Sequence, residues 1–149
     1  TAFMGPIFHC PRCRYQPVSV SGFECFAPDF DEAAAGFSRE AFEALFKSEE
    51  GSFWFRSRNE LILWALSRFS PHAKNFMEIG CGTGFVLKAI EERMPRLALT
   101  GAELFPEGLK WAKTRLTERV RLVQMDARHI SFENEFDALG AFDVLEHIP

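Results

Sequence analysis

Apolar positions along the chain change period near residue 75. Upstream, they recur at three- and four-residue spacing. Ser38 stands ahead of "REAFEALFKSEE" as a natural N-cap, and Phe42, Leu45 and Phe46 follow on one helical face. After Gly51, "FWFRSRNELILWALSRF" predicts a second helix that Pro71 ends. Trp54, Leu61, Trp64, Ala65 and Leu66 fall near one face, which should be the buried one; Arg56, Arg58, Asn59, Glu60 and Arg68 lie largely off it. Downstream, short apolar runs alternate with helical stretches. Phe76 to Ile79 reads as a strand, Phe85 to Met94 as a helix stopped by Pro95, "LALTGAEL" as a strand and "EGLKWAKTRLTE" as a helix. "RVRLVQM" follows as a strand, "DARHISFENE" as an irregular stretch and "FDALGAFDVL" as a strand. This β-α-β-α-β-loop-β order within about 70 residues predicts an α/β fold, a mostly parallel doubly wound sheet with crossover helices.

The first 37 residues have a different character. Pro6, Pro11, Pro17, Gly22, Pro28 and Gly36 recur too often for a long helix, so residues 1–37 read as an irregular extension and 38–149 as the main domain. The extension carries "HCPRC", with Cys10 and Cys13 at C-x2-C spacing and Cys25 further on. A zinc site would need all three cysteines and a fourth ligand such as His9 or a water. The alternative is an eroded zinc ribbon that only packs.

Bulk properties narrow the partners. A chain of 149 residues suits one domain, and a formal charge of -4 with interspersed signs leaves no basic stripe for a nucleic acid backbone. No apolar run reaches the ~18 residues of a membrane span, and the N-terminus lacks the regions of a signal peptide. A cytoplasmic location is expected. Seventeen Phe against one Tyr point to packing and not to chemistry. Because the chain starts at Thr and stops at "EHIP", part of a longer protein is expected.

The chemistry concentrates in "FMEIGCGTGF". Gly80, Gly82 and Gly84 lie between a strand and a helix, at the place where open α/β sheets bind ligands. Glycine lets the backbone take positive φ and lets a ligand approach it. A nicotinamide dinucleotide fingerprint wants G-x-G-x-x-G, but Phe85 stands where the third glycine would fall. A phosphate-binding loop would end in Gly-Lys-Ser or Gly-Lys-Thr, and the first lysine here is Lys88. Glu78, two residues before the first glycine, disfavours a phosphate and suits a cation.

Glu78 followed by Gly-x-Gly-x-Gly closely resembles motif I of the class I S-adenosylmethionine-dependent methyltransferases, which have a Rossmann-like fold. Glu103 ends the second strand 19 residues after Gly84, where this family grips the ribose hydroxyls, and Leu104 would flank the adenine. "MDA" follows the third strand; the resemblance implies that Asp126 and Ala127 meet the adenine. Ala141, Phe142 and Asp143 fall where the family passes the methionine portion and the reacting methyl. The same resemblance puts the loop residues Cys81 and Thr83 against the cofactor, with Cys81 a packing residue and no nucleophile. It also offers Arg58, on the helix before motif I, for the methionine carboxylate.

The resemblance covers about residues 76–149, and "AFDVLEHIP" looks closest to the ubiquinone-type branch. It implies methyl transfer from S-adenosylmethionine to a small-molecule or lipid-like acceptor by in-line displacement, with Asp143 and His147 the candidates for a catalytic base. A complete member has seven strands, so this domain would be truncated after its fourth. Two other classes stay open: a non-catalytic cofactor-binding scaffold and, disfavoured by the glycine spacing, a nicotinamide-dependent oxidoreductase.

Overall fold

The computed structural model describes residues 9–30 and 39–148. The expected cap at Ser38 and the segments 1–8 and 31–38 lie outside the described residues. Strands β1 (Val18–Val20) and β2 (Phe23–Cys25) precede helices α1 (Arg39–Glu49) and α2 (Phe53–Phe69). Then follow β3 (Asn75–Ile79), α3 (Phe85–Arg93), β4 (Ala98–Glu103), α4 (Pro106–Arg115), β5 (Arg121–Gln124) and β6 (Ala138–Ala141). A single 3-10 turn at Leu145–His147 closes the order.

All six strands join one sheet in the order β1-β2-β5-β4-β3-β6. Every pairing is parallel except β1 with β2. The register sets Ile79 beside Ala102 and Ala141, and Glu103 beside Gln124, so the C-terminal tips of β3, β4, β5 and β6 line one edge. The order reverses at β3, the strand that feeds the glycine loop.

The extension is part of this sheet. Ser21 and Gly22 both take positive φ, 54° and 84°, the pattern of a tight hairpin turn that matches strand twist. The hairpin lays β2 along β5, with Glu24 opposite Val123 and Cys25 opposite Gln124, and so covers an edge that β5 would otherwise expose. Arg121 and Glu24 tie the two strands together, Nη2 to Oε2 at 2.5 Å.

Strand alternation divides the core into two layers. On the helical face, Phe76, Leu99 and Val120 pack with Val86, Leu87 and Ile90 of α3 and Leu109 of α4. On the other face, Met77, Ala102, Val123 and Met125 pack with Phe26. No helix covers that second layer among the described residues; Phe132 and Phe136, from the irregular connection between β5 and β6, pack against it.

The buried face of α2 differs from the expected one. Trp54, Leu61 and Trp64 are exposed, at 66%, 62% and 57%, whereas Asn59, Ile62 and Leu63 are buried. Large apolar side chains occur all round this helix, so periodicity alone does not choose a face. Contact with α3 chooses it: Asn59 Nδ2 donates to the Phe85 carbonyl at 3.1 Å, and Ile62 and Leu63 enter the core beside it.

Candidate functional site

The loop between β3 and α3 is held from below by β4. The N–H groups of Gly80 and Cys81 both donate to the Ala102 carbonyl, at 2.8 and 2.9 Å, and Gly84 N–H donates to the Cys81 carbonyl at 2.8 Å. Gly80, Gly82 and Gly84 take φ values of 70°, 51° and 76°. Two of them need glycine for different reasons. A Cβ on Gly84 would lie 2.9 Å from Leu116 Cδ1 and 3.1 Å from Ala112 Cβ, so its bareness lets the end of α4 approach. A Cβ on Gly82 would meet nothing within 4 Å. That open side is where a ligand can lie against the backbone.

Gly82→Ala should therefore leave the fold nearly intact. The left-handed conformation costs about 1–2 kcal/mol for alanine, about 3–6 °C of melting temperature in a domain of this size. Ligand affinity should fall by about tenfold or more, the equivalent of 1.4 kcal/mol. Thermal melts paired with a titration of S-adenosylhomocysteine check this; unchanged affinity in the folded variant would place the ligand elsewhere.

Two carboxylates flank the loop, and both are buried. Glu103, at the tip of β4, accepts from Gly82 N–H at 2.9 Å through Oε2 and from Phe105 N–H at 3.1 Å through Oε1. Burial raises its pKa, against the pull of those N–H groups. Each oxygen holds one backbone partner and keeps a lone pair for another donor. Glu78, on β3, is buried more severely, and its Oε2 has no hydrogen-bond partner. Desolvation pushes the Glu78 carboxyl well above the usual range, opposed first by the charge of Arg58, while Glu103 and Glu49 raise it further. A buried carboxyl oxygen without a partner is a candidate site for a donor or a cation.

Arg58 of α2 and Asp143, just beyond β6, form an ion pair, Nη1 to Oδ2. Asp143 takes φ 55°, an uncommon conformation for a residue with a side chain. The Arg58 guanidinium also lies 5.1 Å from the centroid of the Phe55 ring, and its Nε is buried without a partner. Leu104 is half-buried beside Glu103, its carbonyl accepting from Gln124 Nε2 at 3.1 Å. At the β5 tip, Asp126 is clamped by Arg128: the backbone N–H and Nε donate to Oδ1 at 2.9 and 3.0 Å, and Nη2 donates to Oδ2 at 2.7 Å. Those donors hold the Asp126 carboxyl below its ordinary range.

Comparison with known proteins identifies the family of this region. Residues 76–149 match the family model described as a methyltransferase domain. That stretch of the chain belongs to the family. The chain carries part of a class I S-adenosylmethionine-dependent methyltransferase domain. Over 82 residues it is 34% identical to the malonyl-[acyl-carrier protein] O-methyltransferase of Priestia megaterium, covering 54% of this chain and 30% of that protein. Over 95 residues it is 33% identical to the ubiquinone biosynthesis O-methyltransferase of Dechloromonas aromatica, covering 59% and 39%. Among solved structures, the S-adenosylmethionine-bound amino pentose methyltransferase of Micromonospora echinaspora superposes with a TM-score of 0.56 at 29% identity, over 71% of this chain and 42% of that one. The chain thus spans between 30% and 39% of the length of those two curated relatives.

Within the methyltransferase domain, the expected site residues fall into two groups. Glu78, Gly80, Gly82, Gly84 and Glu103 converge at the tips of β3 and β4, with Leu104 following Glu103 and Asp126 and Ala127 at the neighbouring tip of β5. Cys81 is buried, and its Sγ would lie 2.9 Å from a Cβ on Gly101; burial pushes the thiol well up, which suits packing and not attack. The second group faces elsewhere. The Phe142 ring folds back under β6, where a Cβ on Gly140 would meet it at 2.6 Å, and it packs against the main core. His147 is exposed on the 3-10 turn. Thr83 is fully buried, its hydroxyl directed to α1 and not to the open side of the loop.

The cysteine trio does not assemble. Among the described residues, no three His, Cys, Asp or Glu side chains are grouped to hold a metal. Cys25 is buried in β2 while Cys13 is exposed, because pairing with β5 carries Cys25 into the sheet and away from the C-x2-C turn. Two residues escape any sequence pattern: Glu49 and Arg115, 66 positions apart, meet at Thr83.

Proposed function

We propose that this chain binds S-adenosylmethionine across the tips of β3, β4 and β5, and that it acts in methyl transfer to a small-molecule or lipid-like acceptor. The observation that carries the reading is Glu78 Oε2, buried and unpartnered beside a glycine loop that is open at Gly82, where a Cβ would meet nothing within 4 Å. The donor set fits the cofactor. Glu78 would take its positively charged methionine end, and Glu103, with both oxygens already oriented by backbone N–H groups, would accept from the two ribose hydroxyls. Asp126, with Ala127 and Leu104, would meet the adenine, provided Arg128 shares or leaves the carboxylate it now holds.

When bound, S-adenosylmethionine supplies an activated methyl group on a sulfonium. What this chain contributes is orientation and exclusion of water, effects that can lower a barrier by up to roughly 7–11 kcal/mol. Arg58 is the cation nearest Glu78 in its effect on that acid. Exchange of its partner Asp143 for the methionine carboxylate would release the Asp143 side chain at the end of β6. Of the two candidate bases, Asp143 is the one tied to Arg58, whereas His147 lies on the turn beyond it.

The named activities of the relatives, on an acyl-carrier-protein malonyl group and on a ubiquinone precursor stage, support a small or lipid-like acceptor. No helix of the described residues is long and apolar enough to cross a membrane. A cytoplasmic location and the absence of a nucleic acid partner complete the reading, supported by four free cysteines and a formal charge of -4.

Calorimetric titration with S-adenosylhomocysteine tests the proposal. One equivalent should bind with a micromolar Kd, and NADH should give no heat. Protection by NADH in thermal melts with none from S-adenosylhomocysteine would favour an oxidoreductase. Tight binding without methylation of any acceptor pool would favour a cofactor-binding scaffold.

A further inference from the structure

Thr83 stands between Gly82 and Gly84, and it is the one fully buried polar residue of the loop. Its Oγ1 donates to the Glu49 carboxylate, 2.8 Å from Oε1 and 2.6 Å from Oε2. Arg115 Nη1 donates to Glu49 Oε2 at 2.5 Å, to Thr83 Oγ1 at 2.8 Å and to the Thr83 carbonyl at 3.2 Å. Nη2 donates to the Phe46 carbonyl at 3.2 Å, near the end of α1. The guanidinium carbon lies 4.1 Å from the Phe46 ring centroid and 5.1 Å from that of Phe85. Both charged side chains are only 4% exposed.

A buried ion pair contributes little net stability over an apolar alternative, because its desolvation offsets its attraction. Here the pair grips a loop residue whose two neighbours are glycines in left-handed conformation. Glycine has the greatest conformational freedom of any residue, so such a loop is poorly determined by its own backbone. Tying the side chain and the carbonyl of Thr83 to the last residues of α1 and α4 removes that freedom.

We propose that Glu49 and Arg115 are positioning residues which act through Thr83 to hold the glycine loop in its ligand-ready shape, making α1, upstream of the matched family region, part of the cofactor site. The inference rests on the cofactor reading above for its ligand, but the loop restraint itself is measurable without one. Gly82 N–H on Glu103 pins the loop from the opposite side, so the amides of residues 80–84 report the clamp directly.

The test compares Thr83→Val, which removes the hydroxyl, with Thr83→Ser, which restores it. In the ligand-free chain, hydrogen exchange at Gly82 and Gly84 should accelerate about tenfold in Thr83→Val and return in Thr83→Ser, with β4 amides unchanged. The Kd for S-adenosylhomocysteine should rise about tenfold in the valine variant, with the serine variant close to wild type. Glu49→Gln, which keeps an acceptor for the hydroxyl, should fall between and serves if the valine variant does not fold. Uniform acceleration across loop and β4 would reveal a merely structural role and overturn the proposal. Local acceleration with unchanged affinity would overturn its link to the cofactor. Local acceleration in a chain whose wild type binds no S-adenosylhomocysteine would uphold the clamp and sink the cofactor reading alone.

Discussion

Glu103→Ala should weaken S-adenosylhomocysteine binding by about 100-fold or more. A hydrogen bond to a charged group contributes about 1.5–3 kcal/mol, and Glu103 is placed to accept two from a ribose. The alanine also frees Gly82 N–H and Phe105 N–H, which the carboxylate now holds at 2.9 and 3.1 Å. Stability should change much less. Losing a buried carboxylate whose pKa burial has raised is favourable to the fold, and leaving two N–H groups unpaired is unfavourable. Titration calorimetry on a variant with a near-native melting temperature separates the two effects. Affinity within about threefold of wild type would show that the β4 tip does not hold the ribose.

Glu78→Gln should move stability and binding in opposite directions. The folded protein holds the Glu78 proton more tightly than the unfolded chain does, since desolvation raises its pKa well above the usual value. The stability that comes with that bound proton is fully present below the unfolded pKa and is lost as pH rises through the folded one. Glutamine removes this loss. The ligand-free variant should therefore melt above wild type by on the order of 3 °C near neutral pH, the equivalent of about 1 kcal/mol, and the gap should close as pH falls. Binding should suffer: a charge-assisted contact of about 1.5–3 kcal/mol corresponds to roughly 10- to 150-fold. Wild-type affinity should in turn strengthen as pH rises and Glu78 ionises. Melts and titrations across a pH series measure both. A glutamine variant that is less stable and binds normally would remove Glu78 from the site.

The placement of these acids was legible because it depends on local order. A carboxylate two residues before a glycine-rich turn, and another at the tip of the next strand, reach one site through the register of β3 and β4, which parallel pairing imposes. The helix face of α2 was not legible. Phe53, Trp54, Phe55, Leu61, Ile62, Leu63 and Trp64 surround the helix, and only its contact with α3, through Asn59, decides that Ile62 and Leu63 go inward. The cysteine spacing suggested a metal, but strand pairing placed Cys25 inside the sheet. The sequence marked Asp126 and Arg58 as candidate site residues, but it did not show their ion pairs with Arg128 and Asp143.

From sequence alone came the alternation of strands and helices, the loop with its three glycines, and the two acids beside it. Period and spacing are local properties that backbone sterics translate directly into local structure. Tertiary structure alone decided that the hairpin of the extension joins β5, that Arg58 meets Asp143, and that Glu49 and Arg115 close on Thr83. Those contacts join residues that no periodic pattern relates, and only the packing of α1, α2 and α4 around one sheet brings them within reach.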